Sequence, residues 1–268
     1  MKKLHLRFLV LFSVISCALF GQAGLLDNSY GNNGKVITSV GNSNSEIWGM
    51  AMQDDWSVVV GGFMYNGSDS DFALIRYAPD GSLDNSFGTN GVVITDLGNG
   101  SDVIYAVALQ PDGKIVACGS AWNGSNNDFA VARYNTNGTL DSTFGNNGIV
   151  TTAFGPGNDR GTSLKIQDDW SVVVGGIANN GSNNDFALAR YRPDGSLDST
   201  FGVNGKVVAP IGLANDMAFS LALQSDWSVV VGGVAHNGTD YDFAVARFKT
   251  DGSLDSTFGN NGKVITDV

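Results

Sequence analysis

Short apolar runs alternate with turn residues along most of the chain. In one stretch the runs are KVITSV (35–40), EIWGMAMQ (46–53), SVVVGGFM (57–64) and DFALIRYA (71–78), joined by links of three to six residues. Links this short join antiparallel neighbours, because a parallel crossover needs about a dozen residues or more. The continuous Val run is typical of a strand covered on both faces, and no window has a helical period long enough to predict a helix. The pattern therefore predicts an all-β chain.

These runs recur with a period of 57 residues and without insertions. Four antiparallel strands per repeat, arranged radially so that each sheet packs on the next, are the construction of a β-propeller. We therefore predict a β-propeller-like array of four-stranded antiparallel blades, with an open stack of sheets as the alternative. A β-helix is disfavoured because its coils are usually much shorter. The single domain 24–268 divides into units 24–80, 81–137, 138–194 and 195–251 and a partial fifth unit, 252–268.

The count of runs leaves the ends of the array open to two interpretations. The first run occurs five times and the other three occur four times, which fits either a four-bladed ring with a surplus strand or a segment of a larger propeller. An uncovered edge strand invites pairing with another chain. We therefore favour a partial chain whose further blades lie beyond Val268.

The first residues have the three parts of a secretory signal peptide, which we place at 1–23. Three cationic residues come first, an apolar run covers 8–20, and small residues stand at Gly21 and Ala23. This run is too short to span a bilayer comfortably as a permanent helix. Cleavage after Ala23 predicts a secreted or cell-surface protein with no membrane span. Lipidation at Cys17 is the less favoured alternative, because the apolar residues after it fit a lipobox poorly.

The charge of the chain excludes one class of partner. The formal net charge is −11 at pH 7, and removal of Lys2, Lys3 and Arg7 with the signal peptide makes it −14 (−11 − 3). A chain so acidic lacks the basic surface that phosphate backbones require, so we predict no nucleic-acid binding. An extracellular glycan or a surface protein is the expected partner.

Two charged positions recur in every unit. An Asp stands in the connection between units and is expected to fix the turn by accepting backbone N–H groups. An Arg stands in the last run, and we predict that it clamps that Asp in a bidentate ion pair. Residues present in every repeat are those that stacking requires, so we interpret both positions as structural. The pairs are Arg76 with Asp84, Arg133 with Asp141, Arg190 with Asp198 and Arg247 with Asp255.

Asn-Gly pairs stand in the loop after the third run of each complete unit, as at Asn66-Gly67. Asn-Gly is the strongest short hairpin signal, because both central residues of a type I′ turn need positive φ. The sequence therefore predicts type I′ turns at these pairs. Each pair also begins a formal N-glycosylation acceptor, which the turn explains without glycosylation.

Bulky aromatic residues stand at an unusual place between the second and third runs. Trp56, Trp170 and Trp227 occupy the position at which the second unit has the turn residue Gly113. In a propeller this turn opens on the same face as the connections between blades, so the three rings should point toward one rim. They either pack on the neighbouring connection or stay exposed and stack on a ligand. In the second case, these three residues are the candidate ligand-binding site.

The sequence offers few residues suited to catalysis or to metal binding. After cleavage the chain has one His, His236, and one Cys, Cys118, which provide neither a catalytic triad nor a zinc site. The segments DSDF (69–72) and DYDF (240–243) suggest Ca²⁺ ligands, but we interpret them as Asp-capped turns because other units replace one carboxylate. The sequence does not decide against a pair of carboxylates of the kind that glycosidases use. We predict no catalytic residue, no metal and no cofactor.

The repeated residues resemble a known family. The segment GSLDSTFGNNG (252–262), the run DFAVARY (128–134) and the Asn-Gly turns are similar to the delta-60 repeat of secreted and surface-associated bacterial proteins. This resemblance implies a β-propeller-like array and no general activity, and the Trp turns depart from the usual Gly. The function expected is a non-catalytic scaffold for binding or adhesion. The alternatives are a secreted carbohydrate-active hydrolase with an Asp pair in the central channel and a structural spacer.

Overall fold

The computed structural model of the protein describes residues 25–41, 44–98 and 100–267. The expected signal peptide, 1–23, and Cys17 lie outside the described residues, as does Val268. The described part of the chain contains sixteen strands in four antiparallel four-stranded sheets and no helix, so no helix there is suited to cross a membrane. The all-β, propeller-like fold predicted from the sequence is confirmed.

Each sheet is one blade, with its strands paired in chain order from the inner to the outer edge. Blade 1 consists of β1 (Ser45–Met52), β2 (Val58–Tyr65), β3 (Ser70–Tyr77) and β4 (Val92–Thr95). Blade 2 consists of β5 (Val103–Leu109), β6 (Ile115–Trp122), β7 (Asn127–Tyr134) and β8 (Ile149–Thr152). Blade 3 consists of β9 (Arg160–Ile166), β10 (Val172–Asn179), β11 (Asn184–Tyr191) and β12 (Lys206–Ala209). Blade 4 consists of β13 (Asp216–Leu223), β14 (Val229–His236), β15 (Tyr241–Phe248) and β16 (Lys263–Thr266).

The blades are offset from the sequence repeats. The first run of the second unit is β4, and it pairs with β3 of the preceding unit, from Phe72 opposite Thr95 to Ile75 opposite Val92. The same offset recurs in all four blades. The first run of each unit is therefore the outer strand of the preceding blade and not the first strand of its own. This explains why five copies of the run accompany four complete blades.

A tight hairpin in the connection causes the offset. Thr89 and Val92 exchange two backbone hydrogen bonds across Asn90 and Gly91, which have φ of 52° and 86°. Two residues of positive φ are what a type I′ turn requires, and this turn folds the run back onto the blade it has just left. The type I′ turns expected at Asn66-Gly67 and its counterparts were wrong, since only the Gly of each of those pairs has positive φ.

Apolar side chains of neighbouring blades meet in a continuous core. Between blades 1 and 2, the buried side chains of Val59, Phe72 and Leu74 pack against Ile104 and Ile115. Alternate residues of the middle strands face the two neighbouring blades, so the Val runs are buried on both sides as expected. The inner strands approach closely, because a Cβ at Gly49 would lie 2.8 Å from the Cα of Ala106.

The outward face of blade 4 is largely exposed among the described residues, whereas on blade 1 mainly the inner strand is exposed, because Val36 and Val40 pack over its middle strands. Phe243 on β15 is 63% exposed, whereas its counterparts Phe72, Phe129 and Phe186 are buried. At the other end Met50 on β1 is 62% exposed, in the position that Val107 holds within the core of the next blade interface. The four described blades therefore form an open array, and blades 1 and 4 do not cover one another.

Candidate functional site

The loop that carries each repeated Trp has one geometry. In blade 1, Gln53 N donates to Ser57 O at 2.8 Å, Trp56 N donates to Gln53 O at 3.0 Å, and Asp55 Oδ1 accepts Ser57 N at 2.9 Å. This is a three-residue hairpin loop whose last residue needs a left-handed conformation. Trp56, Trp170 and Trp227 have φ of 69°, 70° and 65° there, and Gly113 has φ of 80°.

A left-handed conformation is unfavourable for a bulky residue. For L-amino acids other than Gly it costs roughly 1–2 kcal/mol per residue, because the Cβ crowds the following carbonyl oxygen. Gly113 adopts it in blade 2 without that cost. The backbone of this loop therefore favours Gly, and three of the four blades carry Trp against that preference.

These loops and the connections between blades share one rim of the array, as the sequence predicts. Lys114, next to Gly113, places its Nζ 2.9 Å from Oδ2 of Asp141 in the following connection. A Cβ on Gly113 would lie 3.1 Å from the side chain of Thr136, in the turn that leaves β7. We call this edge, defined by the loops of Trp56, Gly113, Trp170 and Trp227, the Trp rim.

The three rings differ in exposure. Trp56 is 70% exposed, and Trp170 and Trp227 are partly buried. The side chain of Trp56 is thus available to a ligand, whereas Trp170 and Trp227 expose less of their surface. Exposed acidic residues precede each Trp, for example Asp54 and Asp55 in blade 1. The rim therefore combines aromatic faces with hydrogen-bond acceptors.

The predicted Arg–Asp pairs are present in all four blades, with N–O distances of 2.7 or 2.8 Å. They are not bidentate, because the second carboxylate oxygen is occupied. In the first pair, Arg76 Nε donates to Asp84 Oδ2, while Asp84 Oδ1 accepts the backbone N–H and the hydroxyl of Ser86. The Asp therefore fixes its turn as expected and holds the Arg with its other oxygen.

The same Arg ties its blade to the next one. A second guanidinium nitrogen of Arg76 donates to the carbonyl oxygen of Thr136, 60 residues later, at 2.6 Å. The guanidinium also stacks on Phe87 at 4.7 Å from the ring centroid. Arg133 and Arg190 repeat both contacts. These Arg side chains thus link neighbouring blades chiefly through the bond to the carbonyl oxygen.

The electrostatics of these pairs keep their carboxylates charged. Burial opposes ionisation of Asp198, but the Thr200 hydroxyl and backbone N–H and the charge of Arg190 outweigh it and lower the pKa of Asp198 to about 2. Burial likewise opposes ionisation of Asp141, and donors including Thr143 lower its pKa further. Both groups are committed to the ion pair at neutral pH and are unsuited to proton transfer.

Sequence reasoning missed a second set of repeated carboxylates. Asp102, Asp159 and Asp216 stand before or at the start of the inner strands and are fully buried. Asp102 Oδ2 accepts Leu97 N at 2.9 Å and its Oδ1 accepts Trp122 N at 3.1 Å. Its side chain therefore joins the segment after the outer strand of blade 1 to blade 2. Burial raises the pKa of Asp102 to about 6. Their 57-residue spacing was the signal that could have found them.

Three carboxylates come together beside the first of these residues. Oxygen atoms of Asp71, Asp96 and Asp102 lie within 4.8 Å of one another, and we call this group the acidic cluster. The turn expected here was one capped by Asp, but its cap is Asn66, whose Oδ1 accepts two backbone N–H groups and whose Nδ2 donates to Asp71 Oδ2 at 2.9 Å. From the sequence we predict no metal site, and the spacing of these three residues gives no sign that they meet.

The remaining candidates for chemistry have local structural contacts. His236 Nδ1 accepts Gly238 N at 3.0 Å and its ring packs edge-on against Tyr241. Cys118 is buried, and burial raises the pKa of its thiol. A polar cavity of about 340 Å³ between blades 2 and 3 has one carboxyl group in its lining, Asp159, whose two oxygens accept backbone N–H groups. A glycosidase needs two such groups.

Known structures resemble this fold at low sequence identity. A Bacteroides caccae protein of unknown function aligns over 83% of this chain and 72% of its own, with 9% identity and a TM-score of 0.46. An inactive virginiamycin B lyase from Staphylococcus aureus aligns over 81% and 71%, with 12% identity and a TM-score of 0.42. The GH93 α-L-arabinofuranosidase of Fusarium graminearum aligns over 82% and 65%, with 10% identity and a TM-score of 0.45. Curated protein sequences give no match.

A family model matches the repeat itself. Its description is "Domain of unknown function (DUF5122) beta-propeller", and together the matched segments cover more than half of the chain. Each segment runs from a Trp-rim loop to the aromatic residue of the next connection, and so includes one Arg–Asp pair. The matched segments are 53–87, 110–144, 167–201 and 224–258.

Proposed function

Because this chain belongs to the DUF5122 β-propeller family, we propose that its repeat array is a non-catalytic scaffold that binds an extracellular glycan through the Trp rim. Within that family we assign the repeat to the delta-60 type, on the residues quoted above. A surface protein is the second class of partner, and the net charge of −14 that remains after removal of Lys2, Lys3 and Arg7 argues against polyanions of either class.

The observation that carries the proposal is the Trp in a left-handed conformation. The loop favours Gly, as blade 2 shows at Gly113, so Trp reduces local stability where it replaces Gly. Packing does not account for Trp56, which is 70% exposed. A Trp that occupies an unfavourable backbone conformation and is exposed to solvent is best explained by contact with a partner.

The chemistry of the rim suits a sugar. Aromatic faces stack on the apolar face of a pyranose ring, and aromatic residues are the usual energetic anchors of binding surfaces. Carboxylates accept hydrogen bonds from hydroxyl groups, and exposed carboxylates stand directly before Trp56 and Trp170, at Asp54, Asp55, Asp168 and Asp169. A neutral polysaccharide is therefore the preferred ligand.

We predict that the triple variant Trp56→Gly, Trp170→Gly and Trp227→Gly binds its glycan at least tenfold more weakly than the wild type. Anchor residues contribute about 2 kcal/mol or more each, and Gly is the residue that blade 2 already has in this loop. Binding of the 24–268 protein to a panel of soluble polysaccharides, measured by calorimetry, checks this. The variant should keep its fold, because blade 2 already forms this loop with Gly113.

Trp48→Ala is the matched control, because Trp48 is also exposed but lies on β1, away from the rim loops. It should leave glycan binding unchanged. Undiminished binding by the triple variant would remove the Trp rim from the account.

Export is the remaining part of the proposal. The scaffold is secreted or held at the cell surface after cleavage following Ala23, on the basis of the signal features at 1–23. N-terminal sequencing of the exported protein should begin at Gly24. An exported protein that begins at a lipidated Cys17 would replace this assignment with a lipoprotein.

A further inference from the structure

The acidic cluster lies on the opposite rim of the array from the Trp loops. Asp71 is near the start of β3, Asp96 follows the end of β4 and Asp102 precedes β5, so blades 1 and 2 both contribute to it. Asp71 and Asp102 are buried, while Asp96 is exposed and opens the cluster to solvent. Three carboxylates from two blades thus converge at one end of their interface.

Burial and mutual repulsion make the charged form of the acidic cluster unfavourable. Asp71 and Asp102 lose hydration on burial, and the charge of Asp96 adds repulsion on both, so the pKa of each carboxyl is raised. No Lys or Arg pairs with any of the three among the described residues. Buried charges are ordinarily paired or coordinate a metal ion.

One oxygen in the cluster lacks any hydrogen-bond donor. Asp71 is 4% exposed, and its Oδ1 is buried without a partner, whereas its Oδ2 accepts Asn66. Both oxygens of Asp102 accept one backbone N–H and keep a second lone pair free. A buried carboxylate oxygen without a donor is costly unless a cation or a proton satisfies it.

The third carboxylate occurs at one interface between blades only, among those described. The buried pair recurs as Asp128 with Asp159 and as Asp185 with Asp216, and the unpartnered Oδ1 recurs in Asp128 and Asp185. The position of Asp96 is taken there by Ala153 and Pro210. The pair is therefore a requirement of the repeat, and Asp96 is an addition that stacking does not need.

We propose that Asp71, Asp96 and Asp102 bind one Ca²⁺ ion between blades 1 and 2. All donors are carboxylate oxygens, which hard cations prefer, and no His or Cys is present to favour zinc. The three oxygens lie within 4.8 Å of one another, close enough to coordinate one ion at Ca–O distances of about 2.3–2.6 Å. Ca²⁺ accepts irregular sets of oxygen ligands, whereas Mg²⁺ demands near-ideal octahedral geometry and dehydrates reluctantly. The ion satisfies Asp71 Oδ1, neutralises the repulsion and links the two blades.

The test is the effect of CaCl₂ on the thermal midpoint of the 24–268 protein, measured against EDTA. We expect 5 mM CaCl₂ to raise the midpoint by several degrees, because a ligand that binds only the folded state stabilises it. Calorimetric titration with CaCl₂ should give one site per chain, with a dissociation constant on the order of 0.1–1 mM, typical of extracellular modules. MgCl₂ at the same concentration should give a clearly smaller shift.

Asp96→Ala is the diagnostic variant, because the second interface folds with Ala153 at this position. It should lose the CaCl₂ shift and, in EDTA, be at least as stable as the wild type, since one repulsive charge is removed. Asp54→Ala, which removes an exposed carboxylate on the Trp rim, should keep the full shift. An equal CaCl₂ shift in Asp96→Ala, or no shift in the wild type, would overturn the proposal.

Discussion

Phe129→Ala should destabilise the protein by about 3–5 kcal/mol, the usual cost of removing a buried Phe side chain from a core. Phe129 is fully buried between blades 2 and 3, where its ring lies 4.6 Å from that of Phe154. The truncation leaves a cavity that the rigid strands on both sides cannot fill. Urea unfolding of the 24–268 protein, followed by circular dichroism, measures the loss.

Phe243→Ala is the matched comparison, because the same residue stands at the same position of blade 4. Its side chain is 63% exposed, so truncation should cost less than about 1 kcal/mol. Equal losses for Phe129→Ala and Phe243→Ala would mean that another surface covers blade 4 in solution, and the open array described above would be wrong.

Arg133→Ala should cost about 3 kcal/mol, because it leaves Asp141 and the carbonyl of Pro193 without their buried donor. This Arg–Asp pair is the most deeply buried of the four. The loss is at the lower end of the usual range for a broken buried pair, because Lys114 also contacts Asp141. Arg133→Lys should recover part of it, since Lys keeps the charge but lacks the planar guanidinium.

Arg247→Ala provides the control for the link between blades. Arg247 pairs with Asp255 as the others do, but among the described residues it makes no bond to a following blade, and it is more exposed. Its removal should cost clearly less than that of Arg133 in the same urea measurement. Equal costs would show that the stabilisation comes from the ion pair alone and not from the bond to the next blade.

Much of the fold could be predicted from the sequence, because the features that determine it recur every 57 residues and involve residues close together in the chain. The 57-residue period and the apolar runs predict the blades, and the pairing of Arg76 with Asp84 follows from eight residues of separation across one turn. The common rim of the Trp loops and the connections follows from antiparallel topology alone. Each of these features depends on residues within one repeat.

The offset of the blades was not predictable in the same way. Asn66-Gly67 and Asn90-Gly91 are the same dipeptide, but only Asn90 takes positive φ. The side chain of Asn66 instead accepts the N–H groups of Ser68 and Asp69, which holds its own backbone in a different turn. These bonds join residues only two and three positions apart, so the residues that follow Asn-Gly, and not the dipeptide itself, decide which turn forms.

The acidic cluster was missed because its members come from different repeats. Asp71 and Asp102 are 31 residues apart and belong to different units, and only the packing of blade 2 on blade 1 brings them together. The exposure of Trp56 likewise depends on what packs near the loop and not on the dipeptide around it. Periodicity identifies the residues that stacking needs, and tertiary packing decides which of the others form a site.

The central claim is that the aromatic rings of the Trp rim face solvent and bind a glycan. Intrinsic Trp fluorescence of the 24–268 protein, with iodide quenching and a panel of soluble polysaccharides, tests it most directly. Subtraction of the signal of the triple Trp→Gly variant isolates the three rim residues from Trp48 and Trp122. We predict that iodide quenches this difference signal and that one polysaccharide protects it. A signal that resists iodide and ignores every polysaccharide would contradict the claim and leave the repeat as a structural spacer.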